Sequence, residues 1–491
     1  MELKKILIGL EDLKVKGNLD IDIKHIECDS EKVKPDTMFV AIKGFETDGH
    51  EYINSAIENG ATAILAQSDI DKKILMKIPD NVTIIITKDT RHGVAIAAAN
   101  FYKNPSRQFK LIGITGTKGK TTTSFMTKSI LEKEGKKVGL IGTIASYIGD
   151  KKIDENDRTT PESIELQKMF YNMQKAGCDV VIMEVSSQSL KLHRVDGCDF
   201  DIAVFTNFSE DHISEKEHPD MQDYFNSKLK LIEMSKVAYV NADDLYTAKI
   251  PNMFKEKEIY TYGIDNYCNM LAKDITITNT YVDFKMKLGI KNERVKAFIP
   301  GRFSVYNALA AICIGLKLNC TPEKIKEALL EVKVPGRSEL VENNKDLTLM
   351  IDYAHSPESL ENILQAVKSY TRGRVIVVFG CGGDRDKAKR PIMGQIAGNI
   401  ANFTVITSDN PRTENPDEII SQIEEGMKKT KGKYITIVDR VEAMKYAIEM
   451  AHKDDIVVFA GKGHETYQII GHKKNPFDER VIINKILEGK I

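Results

Sequence analysis

The run Gly113-Ile114-Thr115-Gly116-Thr117-Lys118-Gly119-Lys120-Thr121-Thr122-Thr123 constrains this chain more than any other stretch. A β-rich segment, Phe109 to Ile114, leads into it, and a helical pattern, Ser124 to Lys133, leads out. Strand, glycine turn, Gly-Lys-Thr and helix are the parts of a phosphate-binding loop. Glycines let backbone N–H groups approach phosphate oxygens, and the helix N-terminus adds the positive end of its dipole. Lys120 can reach the β- and γ-phosphates, and the hydroxyl after it, Thr121, can ligand Mg²⁺. The bland alternative is a glycine-rich turn with no ligand, and a lysine and three threonines directly behind the glycines argue against it. The usual loop has four residues between its first glycine and Gly-Lys. Here five separate Gly113 from Gly119, whereas Gly116 is much closer, so the loop is a compact variant.

At 491 residues the chain is long enough for two to four domains. Its net charge of −1 gives no global field for nucleic acid or an anionic membrane, so an anionic substrate must be held by local positive groups. The apolar run within Met1 to Leu10 is too short to span a bilayer and lacks a cleavage site. Seven scattered cysteines with no Cys-x-x-Cys pair fit reduced thiols in a cytoplasm.

In the first hundred residues, Asp36 to Ile42 and Thr83 to Thr87 read as strands, Tyr52 to Asn59 as a short helix and Arg91 to Tyr102 as a longer one. Asn104 to Arg107, with Pro105, is a linker candidate. After the loop come two buried strands. Val180 to Val185 carries Glu184 near its end, and Ile202 to Thr206 runs into Asn207, Asp211 and His212. Parallel α/β sheets bind ligands outside the carboxyl ends of their strands, so these polar residues belong near the loop. Glu184 is a candidate Mg²⁺ ligand, in preference to a structural carboxylate. His212 is balanced between a structural and a functional role. On the helical stripe Met221, Phe225, Lys228, Ile232 the lysine is odd. It is either a snorkelling side chain or a desolvated, reactive amine.

From Ala238 to Ile299 the pattern is strand-like, alternating from Tyr281 to Leu288, and a helix runs through Ala308 to Ala311. Pro335-Gly336-Arg337 reads as a hinge. Beyond it one scheme recurs. Leu349 to Asp352, Val375 to Phe379, Thr404 to Thr407 and Ile456 to Ala460 are apolar strands. Each ends in polar residues: Tyr353-Ala354-His355, Gly380 to Asp386, Ser408 to Arg412 and Gly461 to Glu465. That is a doubly wound parallel sheet with one functional rim. Gly380 to Gly383 has the wrong spacing for a dinucleotide fingerprint.

In order along the whole chain, Gly116 to Thr122, Thr159-Thr160-Pro161, Met183 to Ser187, His193-Arg194, Thr206 to Ser209, Asp211-His212, Pro335 to Glu339, Asp352 to Pro357, Gly380 to Asp386 and Gly461 to Glu465 resemble the Mur ligases. Within them the likeness is strongest to the ligases that add the third amino acid of the peptidoglycan stem peptide. The resemblance implies an α/β, three-domain architecture: a UDP-precursor domain (1–106), a central P-loop ATPase domain (107–335) and a Rossmann-like C-terminal domain (336–491). It implies a cytoplasmic monomer that uses ATP and Mg²⁺. ATP phosphorylates the D-Glu γ-carboxylate of UDP-MurNAc-L-Ala-D-Glu, and an amine attacks the acyl phosphate. By the same resemblance Lys120, Lys228, Glu184 and His212 are catalytic, and Lys228 is carbamylated to hold a second Mg²⁺. Thr121, Glu184, His212 and Lys228 form the metal set. ATP falls to Gly116, Thr117, Lys118, Gly119, Lys120, Thr121 and Thr122, with Asn307, Arg337 and Asp352 around base and ribose. Thr159, Thr160, Ser186 and Arg194 match precursor contacts, and Ser30 a contact to the UDP end.

Asp409-Asn410-Pro411-Arg412 is similar to the motif of meso-diaminopimelate-adding enzymes, with Arg385, Gly461 and Glu465 completing the pocket. A planar guanidinium pairs bidentately with the extra carboxylate of diaminopimelate, a group that lysine lacks. Three departures stand out: Glu31 in place of an arginine, Leu192 in place of a glutamine, and the atypical run Ile213 to His218, in which His218 is a candidate for a similar place. The alternatives are the same ligase using L-lysine or another diamino acid, a folylpolyglutamate synthase, and a nucleotide-dependent switch. A switch has no need of the four polar strand ends.

Overall fold

The computed structural model describes residues 1–155, 158–214, 217–288 and 290–491. Glu215 and Lys216, inside the atypical run after His212, lie outside them. The chain divides into two compact units, Met1–Asn269 and Met270–Ile491.

The first unit holds two sheets. In the N-terminal one the order is Lys14–Lys16, Thr83–Thr87, Ala61–Gln67, Thr37–Val40, His25–Glu27, parallel except at the first pair. The helix expected at Tyr52 to Asn59 starts as a 3-10 turn, Gly49–Tyr52, and continues as Ile53–Glu58. Helix Thr90–Phe101 starts where the Asp89 carboxylate accepts from the Arg91 and His92 N–H groups. The expected linker at Pro105 closes into a 3-10 turn, Pro105–Arg107.

In the second sheet the parallel strands lie in the order Val138–Ile141, Val180–Glu184, Lys110–Thr115, Phe200–Phe205, Ser235–Asn241, Glu258–Gly263. Their apolar composition follows from burial on both faces. Leu166, Phe170 and Met173 of helix Ser163–Lys175 pack into this core, as do Tyr224, Phe225 and Ile232 of helix Met221–Met234. Lys110–Thr115 is flanked by the strands ending at Glu184 and Phe205, with Glu184 opposite Ile114 and Phe205 opposite Thr115. Gly113 lies within the central strand, and a Cβ there would stand 2.8 Å from side-chain atoms of Phe200 and Leu231. It is therefore a packing glycine, and the phosphate loop begins at Gly116.

The second unit opens with an antiparallel sheet, Lys273–Ile277, Val282–Leu288 and Lys291–Ala297, followed by helices Arg302–Lys317 and Pro322–Glu331. Its main sheet has the order Glu339–Val341, Thr348–Asp352, Ile456–Ala460, Val375–Phe379, Phe403–Ile406, Tyr434–Thr436, and only the first pair is antiparallel. Helices Pro357–Tyr370, Lys389–Ile400 and Pro416–Met427 cover one face, and Arg440–Met450 and Glu479–Leu487 the other. This is the doubly wound arrangement expected, with neighbouring parallel strands delivering the polar segments to one edge.

Within the first unit a His–Asp–His cluster ties helix Thr90–Phe101 to the turn that carries Arg194. The Nδ1 atoms of His92 and His193 each lie 2.7 Å from Asp196 Oδ2. Burial opposes ionisation of Asp196, but hydrogen bonds from His193 and His92 outweigh it and hold the carboxyl at about 2. The hydrogen bond to Asp196 raises His92 above the ordinary imidazole value, against desolvation. The carboxylate's share of stability is present above about pH 4 and lost as pH falls towards its depressed value. The share of His92 is full below about pH 6.5 and lost as pH rises through its raised value. Asp196→Asn is therefore expected to lower the Tm more at about pH 5.5 than at about pH 8.5. Equal losses at both would show that no imidazolium is involved.

Candidate active site

Gly116 (φ +140°) and Gly119 (φ +84°) occupy the left-handed half of conformational space that favours glycine. A Cβ on Gly116 would lie 2.0 Å from Thr206 Oγ1, so the loop is laid directly on the end of the neighbouring strand. Asn207 fixes it there. Its carbonyl accepts from Thr117 N–H at 2.9 Å, its Oδ1 from Lys118 N–H at 2.9 Å, and its Nδ2 donates to Lys118 O at 3.0 Å. Lys120 Nζ folds back onto the carbonyls of Gly116 (2.8 Å) and Thr117 (3.0 Å). Lys118 pairs with Asp211 at 3.3 Å, so Asn207 and Asp211, two of the three residues expected near the loop after strand Phe200–Phe205, contact it directly. Thr121 and Thr122 are buried in the first turn of helix Lys120–Lys133.

Glu184 is 1% exposed at the end of its strand. Its Oε2 accepts from the hydroxyls of Thr121 and Thr143, both at 2.9 Å, and its Oε1 from Thr143 N–H at 3.1 Å. Gly142 makes room, since a Cβ there would stand 2.3 Å from Glu184 Oε1. Thr143 was not foreseen, although it follows the apolar strand Val138–Ile141 and the strand-end rule points to it. Its hydroxyl lies 3.1 Å from that of Thr159. Thr160 donates to Glu184 O at 2.9 Å and accepts from Ser186 N–H at 3.0 Å. Buried Arg194 donates to Thr160 O at 3.4 Å and pairs with Glu162 at 2.8 Å. Thr159, Thr160, Ser186 and Arg194 thus gather around the Glu184 strand end. Ser30 belongs to the N-terminal sheet domain, buried in the 3-10 turn Ser30–Lys32.

Lys228 is 1% exposed, which removes the snorkelling reading. Its Nζ donates to Gly116 O at 3.0 Å and stands 4.7 Å from the Tyr224 ring centroid. Burial drives its pKa well below the usual lysine value, and nearby Lys120 pushes the same way against Asp211. Tyr224, which sequence reasoning missed, is the hub here. Its hydroxyl lies 3.3 Å from Thr117 Oγ1, and its ring packs on Phe208, His218 and His212. His212 (φ +59°) is partly open to solvent and donates from Nδ1 to Glu217 at 2.7 Å. His218 is fully buried between Asp223 (2.7 Å) and Ser187 (2.9 Å), and burial pushes its pKa down. The oxygens of Thr121 and Glu184 are hard donors, so their chemistry fits Mg²⁺ rather than a thiophilic metal.

In the second unit, Asp352 Oδ2 accepts from Ser338 N–H at 2.8 Å and its Oδ1 from Ala354 N–H at 3.0 Å. Burial raises its pKa, and Arg337 partly offsets this. The Arg337 guanidinium lies 4.9 Å from the Tyr353 ring centroid. Asn307 is buried in helix Arg302–Lys317. A cavity of about 730 Å³ opens beside Arg337 and Ser338, lined mainly by apolar side chains such as Phe298, Leu330 and Leu349.

The remaining predicted residues meet on the rim of the main sheet. Asn410 Nδ2 donates to Glu465 Oε2 at 2.9 Å. Asp409 is 8% exposed, and its Oδ2 has no hydrogen-bond partner among the described residues. A Cβ on Gly461 (φ +114°) would stand 2.7 Å from that oxygen, so glycine keeps it open. Arg412, held at φ +50°, donates from Nη1 to Gly383 O at 2.7 Å, while Arg385 is exposed beside Gly382. Two buried arginines, absent from the sequence reading, brace the rim. Arg390 forks onto Glu414 at 2.9 Å and reaches Gly382 O. Arg440 pairs with Glu479 at 2.8 Å and reaches Ala460 O.

The Mur ligase middle-domain family matches residues 114–315, the Mur ligase glutamate ligase domain 336–463, and the Mur ligase family catalytic domain 22–102. The chain is 50% identical over 488 residues, 99% of each chain, to the UDP-N-acetylmuramoyl-L-alanyl-D-glutamate–2,6-diaminopimelate ligase of Caldanaerobacter subterraneus subsp. tengcongensis. It is 44% identical to the ligase of that name from Clostridium perfringens, over the full length of both. A solved structure of a ligase so named superposes with TM-score 0.72 at 27% identity, covering 100% of this chain and 99% of that one. Among the described residues no helix is long and apolar enough to cross a membrane.

Because the amine of Lys228 is buried, replacing it with an apolar side chain removes a desolvation cost. Lys228→Met is expected to raise the Tm near neutral pH by about 2–4 °C while abolishing turnover. A fall in Tm would mean that its bonds to Gly116 and Tyr224 outweigh burial.

Proposed function

The chain belongs to the Mur ligase family, and from that membership we infer that it joins 2,6-diaminopimelate to UDP-N-acetylmuramoyl-L-alanyl-D-glutamate at the expense of ATP. The observation that best supports a single reaction centre is the Glu184 carboxylate. It is bonded on one side to Thr121 of the phosphate loop and on the other to Thr143, which continues to Thr159.

The chemistry runs in two displacements. An oxygen of the D-Glu γ-carboxylate attacks the γ-phosphorus of ATP, the bond to the bridging oxygen breaks, and ADP leaves. The amine of the incoming amino acid then attacks the acyl carbon, a tetrahedral intermediate collapses, phosphate leaves and the nitrogen loses a proton. The first step brings two anions together, so it depends on charge neutralisation and alignment. Lys120 swings from its loop carbonyls onto the triphosphate. Amides at the start of helix Lys120–Lys133 hold the phosphates, and Gly116 and Gly119 let the backbone approach them. Thr121 and Glu184, with His212 and a carbamylated Lys228, would hold Mg²⁺, which when bound supplies positive charge for the phosphates. Burial disfavours the charged form of the Lys228 amine, and the uncharged amine is the nucleophile that carbamylation by CO₂ requires. Thr159, Thr160, Ser186 and Arg194 bind the precursor near the carboxylate, and Ser30 its UDP end. Asn307, Arg337 and Asp352 hold base and ribose. Arg412 and Arg385 meet the distal carboxylate of meso-diaminopimelate, while Asp409 and Glu465, with Asn410, Pro411 and Gly461, receive its distal ammonium and leave the other amine free to attack. The working protein is a cytoplasmic monomer with domain boundaries near 106 and 335.

Phosphate release is expected only with precursor and diaminopimelate together, and about 100-fold weaker with L-lysine, which cannot engage an arginine through a second carboxylate. Equal turnover with lysine or ornithine would overturn the specificity. Arg412→Ala is expected to lower kcat/KM for diaminopimelate about 100-fold and to keep the acyl phosphate trappable by hydroxylamine. Loss of the trapped product would give Arg412 another task.

A further inference from the structure

Lys462 has no part in the reading above, yet it is a fully buried cation where two strand-end segments of the rim meet. Its Nζ donates to Asn410 Oδ1 at 3.1 Å and to Glu465 Oε2 at 3.0 Å. Asn410 closes the triangle through Nδ2 to the same Glu465 oxygen at 2.9 Å. Asn410 Oδ1 also accepts from Ile469 N–H at 2.9 Å, so both ends of its amide are fixed. The rings of Tyr467 and Phe477 lie 5.8 Å from Nζ and form apolar walls.

Two strand ends far apart in sequence, Ser408 to Arg412 and Gly461 to Glu465, are therefore joined through one ammonium. A buried cation of this kind persists only where charge and hydrogen bonds compensate it. Here the compensation comes from a carboxylate that the pocket also needs. Both bonds to Glu465 end on Oε2, and Oε1 takes part in neither. Asp409, adjoining Asn410, keeps a buried oxygen without a partner.

We propose that Lys462 is a positioning residue for the incoming diamino acid, locking Asn410 and Glu465 as one unit so that Glu465 Oε1 and Asp409 Oδ2 receive the ligand's distal ammonium. The charge balance gives this chemical sense. Two carboxylates and one resident ammonium leave a net charge of about −1 before the ligand arrives, enough to attract a second ammonium without an unopposed pair of anions. With a neutral residue at 462, Glu465 loses its anchor and the pocket loses its register, whereas the phosphate loop in the other unit keeps all its contacts. The inference rests on the ligase reading above.

The test is steady-state kinetics of Lys462→Met, Lys462→Gln and Lys462→Arg, with hydroxylamine trapping of the acyl phosphate in parallel. The expected result for Met and Gln is a KM for diaminopimelate raised about tenfold or more, with the KM values for ATP and precursor and the trapped acyl phosphate at wild-type levels. Lys462→Arg, which keeps charge and donors, should recover part of the loss. A diaminopimelate KM within about twofold of wild type in a folded Met or Gln variant overturns the proposal. So does an equal fall in acyl-phosphate formation. If neither neutral variant folds by circular dichroism, Lys462 serves the fold and the proposal also fails. Absence of diaminopimelate-dependent turnover in the wild-type chain would instead overturn the ligase reading, which separates the two failures.

Discussion

The structure of the first unit depends on one buried anion. Glu184 ends a strand with apolar neighbours on both sides, where an uncompensated carboxylate would be strongly unfavourable. Three donors from two other segments compensate it: the Thr121 hydroxyl in the first turn of helix Lys120–Lys133, and the hydroxyl and N–H of Thr143. They come from segments 63 and 41 residues away in sequence, so the carboxylate is tolerated only when three parallel strands are in register. The same bonds align the phosphate loop with the threonines at 159 and 160. Compensating the charge and assembling the site are thus one event.

The second unit solves a similar problem with the opposite sign. Arg390, Arg440 and Lys462 are all buried, and each bridges segments that follow different strands. Arg390 ties Gly382 to Glu414, Arg440 ties Ala460 to Glu479, and Lys462 ties Asn410 to Glu465. Loops at the carboxyl ends of strands are ordinarily the mobile part of a doubly wound fold. Buried cations with several donors each give these loops a defined geometry. Removing one partner of such a buried pair leaves an uncompensated charge, which is strongly destabilising.

Much of the site was legible in the sequence, because its parts obey local rules. Glycines before Gly-Lys-Thr, a carboxylate closing the apolar run Val180 to Val185, and polar residues behind each of four apolar strands are patterns of spacing. The structure puts Glu184, Asn207, Asp211 and Lys228 around the loop beginning at Gly116. Gly113 shows the limit of such patterns. As a letter it competes for the first loop position, but Phe200 and Leu231 press against it in the middle of a strand. Tyr224 carries no local signature, because its partners Thr117, Phe208 and His212 are distant in sequence.

The sequence by itself determined the kinds of side chain available: glycines and a lysine in a phosphate-loop pattern, a carboxylate closing an apolar strand, a lysine on an apolar stripe, and polar residues behind four apolar strands. It also determined the alternating and periodic patterns from which strands and helices form, because those depend on neighbours a few residues apart. Only the tertiary structure decided that Lys228 is sealed from water, that His218 is held between Asp223 and Ser187, and that Lys462 joins two strand ends. Burial and partner choice are properties of packing between distant segments. The same lysine is a solvated surface cation or a buried clamp according to what the fold lays over it.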